Sequence, residues 1–97
     1  MSAILTMENF KDLIGKTCVL KEGDSSYEIE ILDVIKLKKK SDVGHPDPFV
    51  VEVRCRQEEI LPQKIHTISG EGLDDQAIYF SAVGKDSEGH LYEAVFN

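Results

Sequence analysis

The sequence predicts a mainly β fold: a single domain built as an antiparallel six-stranded barrel or curled sandwich, with a short N-terminal α-helix. Three observations carry this prediction. After Gly15, apolar and polar residues alternate with a period of two in most runs. The connections between these runs are short and polar, which is typical of antiparallel neighbours. The chain has 97 residues, enough for one domain around one hydrophobic core.

The first element is predicted to be a helix over about residues 7–14. Thr6 is a good N-cap, and Glu8 lies in the first turn, where an acidic residue is favourable. Two turns of helix can cover one open end of a barrel but cannot form a scaffold. The apolar residues of this segment recur at helical spacing: Met7, Phe10, Leu13 and Ile14.

The alternating runs predict six strands. The second strand changes parity near Leu32–Val34, which indicates either burial on both faces or a β-bulge. The last strand, LYEAVFN, follows its predecessor after a six-residue polar turn. We therefore expect these two strands to pair, and the last one to complete the domain's own sheet at an edge or a barrel seam. The six strands span about residues 17–22, 27–38, 49–57, 64–69, 77–84 and 91–97.

The charge balance argues against a nucleic-acid partner. The net charge is −7, and residues 49–97 hold four basic and nine acidic residues, which gives −5. A phosphate-binding surface needs clustered Lys and Arg instead. The one basic cluster, Lys36 and residues 38–40, has no neighbouring aromatic residue for base stacking. A solvated strand end, or edge lysines that discourage aggregation, explains it better.

Nothing in the sequence predicts membrane contact or export. No apolar run approaches the ~20 residues of a membrane span, and the start, MSAILTMENF, lacks the basic flank and apolar stretch of a signal peptide. We expect a cytoplasmic protein. Cys18 and Cys55 lack metal-ligand spacing, so two thiols in a reducing compartment are the simplest interpretation.

The sequence offers no catalytic constellation, and we predict no catalytic residue and no cofactor. GDSS at residues 23–26 lacks the distant Asp-x-x-His that would activate a serine, so it is interpreted as a hairpin turn. A catalytic metal commonly takes about three protein ligands, which makes His45, His66 and His90 the only set to test. Their spacing does not fix convergence, and exposed histidines are the simpler interpretation.

The segment ILPQ, residues 60–63, is the one candidate contact with a protein partner. Pro62 cannot donate to a ladder and forces Leu61 into an extended conformation, which places both at a strand entrance. The alternative is an exposed apolar anchor. The candidate interaction residues are Ile60, Leu61, Pro62 and Gln63.

Four segments resemble, in order, a small bacterial domain family of similar length and unknown function. They are FKDLIGKTCVL (10–20), PFVVEV (48–53), LPQ (61–63) and GHLYEAVFN (89–97), of which the last is the most specific. The resemblance supplies no catalytic residues. Through relatives encoded near phage-tail-like or tail-collar-like proteins, it implies an association with such an assembly.

Three classes of function remain open. The leading prediction is a non-enzymatic protein-interaction or structural accessory domain with a protein partner, associated with a phage-tail-like assembly. The alternative is a small-ligand-binding β-barrel, which requires a mouth with convergent polar groups. The third is a metal site or enzyme, which requires the histidines to converge. The oligomeric state is not predicted.

Overall fold

A computed structural model describes residues 5–38, 48–56, 61, 65–70 and 73–96, without the side chains of residues 73 and 74. In this part of the chain one short helix precedes one sheet of seven antiparallel strands that curls into a half-barrel. The strand order is β5-β4-β1-β2-β3-β7-β6. The elements are α1 (Met7–Lys11), β1 (Thr17–Glu22), β2 (Ser25–Lys36), β3 (Phe49–Cys55), β4 (Ile65–Gly70), β5 (Leu73–Tyr79), β6 (Ser81–Asp86) and β7 (Gly89–Phe96).

The two outermost strands of the sheet are consecutive in the chain. β5 ends at Tyr79, β6 begins at Ser81, and only Phe80 separates them. Since β5 pairs with β4 and β6 pairs with β7 at the opposite end of the sheet, the sheet curls so that the end of β5 and the start of β6 come together at Phe80. Phe80 is buried at this junction. The predicted strand 77–84 is therefore two strands, and the sheet has seven strands rather than six.

The helix is shorter than the predicted span 7–14. The Thr6 N–H donates to Asn9 Oδ1 at 2.7 Å, which closes the first turn. The helix ends at Lys11 because the following residues belong to the sheet: Ile14 forms a bridge with Ile31, and the Gly15 N–H donates to the Ile31 carbonyl at 2.8 Å.

The strand bounds otherwise follow the alternation closely. β1 has the predicted bounds, and the register of β2 against β3 shifts between Ile31 and Asp33, which identifies the bulge at Leu32. β7 completes the domain's own sheet and pairs with β6, as expected. It is not an edge strand, because it lies between β3 and β6.

The core fills the inner face of the curled sheet, and α1 covers one end of it. Phe10 from the helix packs against Phe49 and Phe96, with ring centroids 6.0 and 5.6 Å away. Phe49 and Phe96 stack with centroids 4.5 Å apart. Aromatic pairs of this kind contribute roughly 0.5–1.5 kcal/mol each beyond their buried area. The helix is therefore a lid over the core, as its length predicted.

Both cysteines are buried free thiols. Cys18 on β1 and Cys55 on β3 point into the core, and burial raises the pKa of the Cys18 thiol. No described segment forms a helix long and apolar enough to cross a membrane.

Candidate binding face on strands β2, β3 and β7

The outer face of β2, β3 and β7 carries its side chains in rows that cross the three strands. Residues opposite one another in an antiparallel sheet point to the same face, so the pairing register fixes which side chains are neighbours. One row is apolar and the adjacent row is acidic. The apolar row consists of Ile35, Val50 and Val95, and the acidic row consists of Asp33, Glu52 and Glu93.

The apolar row is open to solvent at both ends. Ile35 is 42% exposed and Val95 is 47% exposed, while Val50 between them is nearly buried. None of the three belongs to the buried core cluster. Single exposed apolar residues are common on protein surfaces, but these three lie side by side and form a continuous strip.

The acidic row places three carboxylates on adjacent strands with no residue between them. Like charges directly opposite in a sheet are destabilising, typically by a few tenths to about 1 kcal/mol per pair. No described basic side chain forms an ion pair with Glu52 or Glu93. Among the described residues, Asp33 Oδ1 accepts one local hydrogen bond, from the Val34 N–H at 2.8 Å. The row therefore presents two carboxylates, on Glu52 and Glu93, that have no ion-pair partner among the described residues.

The bulge at Leu32 creates the acidic row. Ile29 and Ile31 are buried on the inner face, so an uninterrupted strand would point Asp33 inward as well. The extra residue reverses the parity, and Asp33 joins Glu52 on the outer face. A carboxylate that would be costly to bury is therefore moved into line with two others.

The charges on the other side of the acidic row are paired. The Arg54 guanidinium donates to Asp86 Oδ2 through two nitrogens, at 2.7 and 3.1 Å, and lies 3.5 Å from Glu88. Arg56 contacts Glu30 at 2.8 Å. The hydrogen bond from Arg54 holds the pKa of the Asp86 carboxyl below its usual range, and the same bond raises the pKa of Arg54. This network stabilises the face and contrasts with the acidic row.

A polar groove of 560 Å³ lies beside these two arginines on the outside of β1, β2 and β3. Its charged lining consists of Glu28, Glu30, Arg54 and Arg56, and three hydroxyl-bearing side chains complete it. The groove is a surface feature of the sheet and not the barrel mouth in which a ligand was expected.

The histidines do not form a three-ligand site in the described part of the chain, where no group of three or more His, Cys, Asp or Glu is placed to hold a metal. His66 is fully buried, and its Nδ1 lies 2.9 Å from Glu22 Oε2. His90 is buried opposite Cys55 on β3. His45 lies outside the described residues. The two visible histidines are core residues rather than the exposed residues that the simpler interpretation expected.

Leu61 of the ILPQ segment belongs to the hydrophobic core. Its side chain is buried, and its N–H donates to the Tyr92 hydroxyl at 2.9 Å. The burial of Leu61 does not fit an exposed anchor, and the strand-entrance interpretation stays a prediction. Ile60, Pro62 and Gln63 lie outside the described residues.

The comparison with known proteins agrees with the resemblance seen in the sequence. The family model described as Domain of unknown function (DUF6916) matches residues 5–96. The chain belongs to this family. No curated protein and no solved structure matches it.

The candidate binding face was not predicted from the sequence. The alternation placed Glu52 on the polar side of its strand, but the acidic row depends on which strands are neighbours and on a bulge that changes parity. The parity change near Leu32 indicated a bulge in the second strand. It did not show that this bulge would move Asp33 to the outer face of the sheet.

Proposed function

We propose that this domain is a non-enzymatic protein-interaction module whose binding face consists of the apolar and acidic rows on β2, β3 and β7. One observation carries the proposal: three carboxylates stand in register without a described counter-charge, directly beside an apolar row whose two outer residues are exposed. In natural proteins, local arrangements that lower stability tend to occur at functional sites. Cations from a partner would remove the repulsion, and its apolar residues would cover Ile35 and Val95.

The arrangement has the composition of a recognition surface. Interfaces combine an apolar centre with polar groups that set orientation, and complementary charge raises association rates and rejects wrong partners. The apolar row supplies apolar contact area, and the acidic row selects for positively charged partners. The paired charges around Arg54 limit the face on one side, because they are already satisfied within the domain.

Site-specific photo-crosslinking in the native cells tests the proposal. A photo-reactive residue is placed at Ile35 or Val95, and in control chains at Ile65 or Tyr79, which are 63% and 52% exposed but lie on β4 and β5 at the far edge of the sheet. We expect one defined protein adduct from positions 35 and 95 and none from the controls. Adducts only from the controls, or none from any position, would contradict the proposed face.

The same experiment addresses the wider setting. The accessory role in a phage-tail-like assembly, in the cytoplasm, remains part of the proposal and rests on the family resemblance. Mass spectrometry of the adduct identifies the partner. A structural protein of such an assembly would support this role, while an unrelated partner would leave only the interaction function.

Binding of a small polar ligand in the groove is the second candidate function. The groove offers both carboxylates and guanidinium groups, which suit a small zwitterion. However, Arg56 already contacts Glu30 at 2.8 Å, so a ligand would have to displace an ion pair. Ligand-observed NMR against a mixture of amino acids, with wild type and Arg56→Ala compared, tests this candidate. Signals that vanish in the variant would favour it.

A further inference from the structure

We infer that the partner segment held by this face is a basic amphipathic helix of about two turns, lying across the strands. The inference rests on the proposed function and specifies its partner. It follows from the dimensions of the two rows and from their opposite chemical character.

The rows have the size of a short helix. Neighbouring strands lie roughly 4.8 Å apart, so a row across β2, β3 and β7 is about 10 Å long, close to the length of two helical turns. The two rows are separated by two residues along each strand, or about 6.8 Å. A helix lying over them would place one stripe of side chains on the apolar row and the adjoining stripe on the acidic row.

An extended segment matches the face less well. Successive side chains of a strand point to opposite sides, so a strand lying across the sheet presents only one row of side chains to it. Such a segment would cover either Ile35 and Val95 or the carboxylates, but not both rows at once. A helix presents two adjacent stripes on one side, as this face requires.

The charge of the occupant follows from the acidic row. Glu52 and Glu93 have no described ion-pair partner, so Lys or Arg on one flank of the helix would meet unpaired carboxylates. A second copy of this chain is a poor occupant, because its net charge of −7 and its own acidic row would be repelled. Along β3, the apolar row, the acidic row and the paired Arg54 follow one another. This order fixes the orientation of the bound helix, whose apolar stripe faces away from Arg54.

A designed peptide tests the inference directly. The probe has about 14 residues, long enough for measurable helicity, with leucines along one stripe, lysines along the adjoining stripe and alanines elsewhere. Chemical-shift mapping on the full chain locates its site, and calorimetry gives its Kd. A peptide of the same composition in scrambled order controls for simple attraction between opposite net charges.

We expect shift changes confined to β2, β3 and β7. The double variant Glu52→Gln, Glu93→Gln should weaken binding about five- to tenfold, as the loss of two charge contacts implies. The variant Glu8→Gln, Asp24→Asn removes the same total charge at two exposed positions elsewhere and should change the Kd less than about twofold.

Equal binding of the scrambled peptide, equal weakening by both double variants, shifts on other strands, or no binding would each overturn the helical partner. The proposed function has a separate readout. If photo-crosslinks from Ile35 and Val95 persist while the peptide fails, the face binds a protein but not through a basic helix. If both fail, the face itself is not the interaction site.

Discussion

The backbone N–H of Leu61 donates a hydrogen bond of 2.9 Å to the hydroxyl of Tyr92, and both residues are buried. Replacement of Tyr92 by Phe would leave this N–H buried without its acceptor, which typically costs about 1–3 kcal/mol. We expect Tyr92→Phe to lower the free energy of unfolding by that amount in urea denaturation. Tyr79→Phe, at an exposed position, should stay within about 0.5 kcal/mol of wild type. Equal stability of the two variants would show that the hydrogen bond contributes little.

Alkaline pH should destabilise the domain through Cys18. Burial raises the pKa of this thiol in the folded state, whereas in the unfolded chain it titrates near 8.5. Above that value the unfolded state releases a proton that the folded state retains, so stability falls as pH rises, by at most about 1.4 kcal/mol per pH unit. Urea midpoints between pH 7.5 and 9.5 should fall more steeply for wild type than for Cys18→Ala. Parallel curves would count against this thiol as the cause.

Much of the sheet could be predicted because alternation reports which face of a strand is buried. Phe49, Val51, Val53 and Cys55 were expected on one face of β3, and all four are buried. The division of strand 77–84 was not predictable in this way. The run AIYFSAVG contains no Gly, Pro, Asn or Asp before its last residue. Phe80 separates two strands because the partners of these strands lie at opposite ends of the sheet.

The candidate site was less predictable than the fold for a related reason. Asp33, Glu52 and Glu93 are far apart in the chain and become neighbours only through the pairing of β2 with β3 and of β3 with β7. The bulge also reverses the face on which Asp33 lies. Local sequence patterns show that each residue is polar, but they do not reveal a row across three strands. The histidines and the ILPQ segment were candidates by residue type alone. The structure describes three of these residues, and all three are buried: Leu61, His66 and His90.

The Arg54–Asp86 pair should contribute stability that is lost in acid. The hydrogen bond from Arg54 lowers the pKa of the Asp86 carboxyl below the value of about 3.9 expected in the unfolded chain. The contribution is therefore complete above that value and disappears as pH falls through the lower, folded pKa. Between pH 5 and 2.5, stability should fall more steeply for wild type than for the isosteric Asp86→Asn. Asp24→Asn, in the β1–β2 turn, should follow the wild-type slope.

Gly89 should tolerate substitution less well than Gly23. Gly89 has φ +154°, and a Cβ atom there would lie 2.4 Å from the Cys55 carbonyl oxygen, a backbone atom that cannot move aside. Gly23 has φ +58° and nothing within 4 Å of such an atom, so its Ala variant meets only the backbone cost of about 1–2 kcal/mol. We expect Gly89→Ala to lose clearly more stability than Gly23→Ala in thermal unfolding. The reverse order would mean that β3 and β7 can separate locally at low cost.

The acidic row leads to a prediction that a purely structural role would not make. If Glu52 and Glu93 are retained for binding at a cost to the isolated domain, Glu52→Gln and Glu93→Gln should each raise the free energy of unfolding, by about 0.3–0.5 kcal/mol. The gain should shrink in about 1 M salt, because salt screens the repulsion between exposed carboxylates. Denaturation of both variants at low and high salt, with Asp24→Asn as the charge-matched control, measures this. If the two row variants are stabilised and the control is not, the repulsion is specific to the acidic row. If neutralising either glutamate lowers the stability, the carboxylates have partners within the domain and are not free to bind a cationic partner.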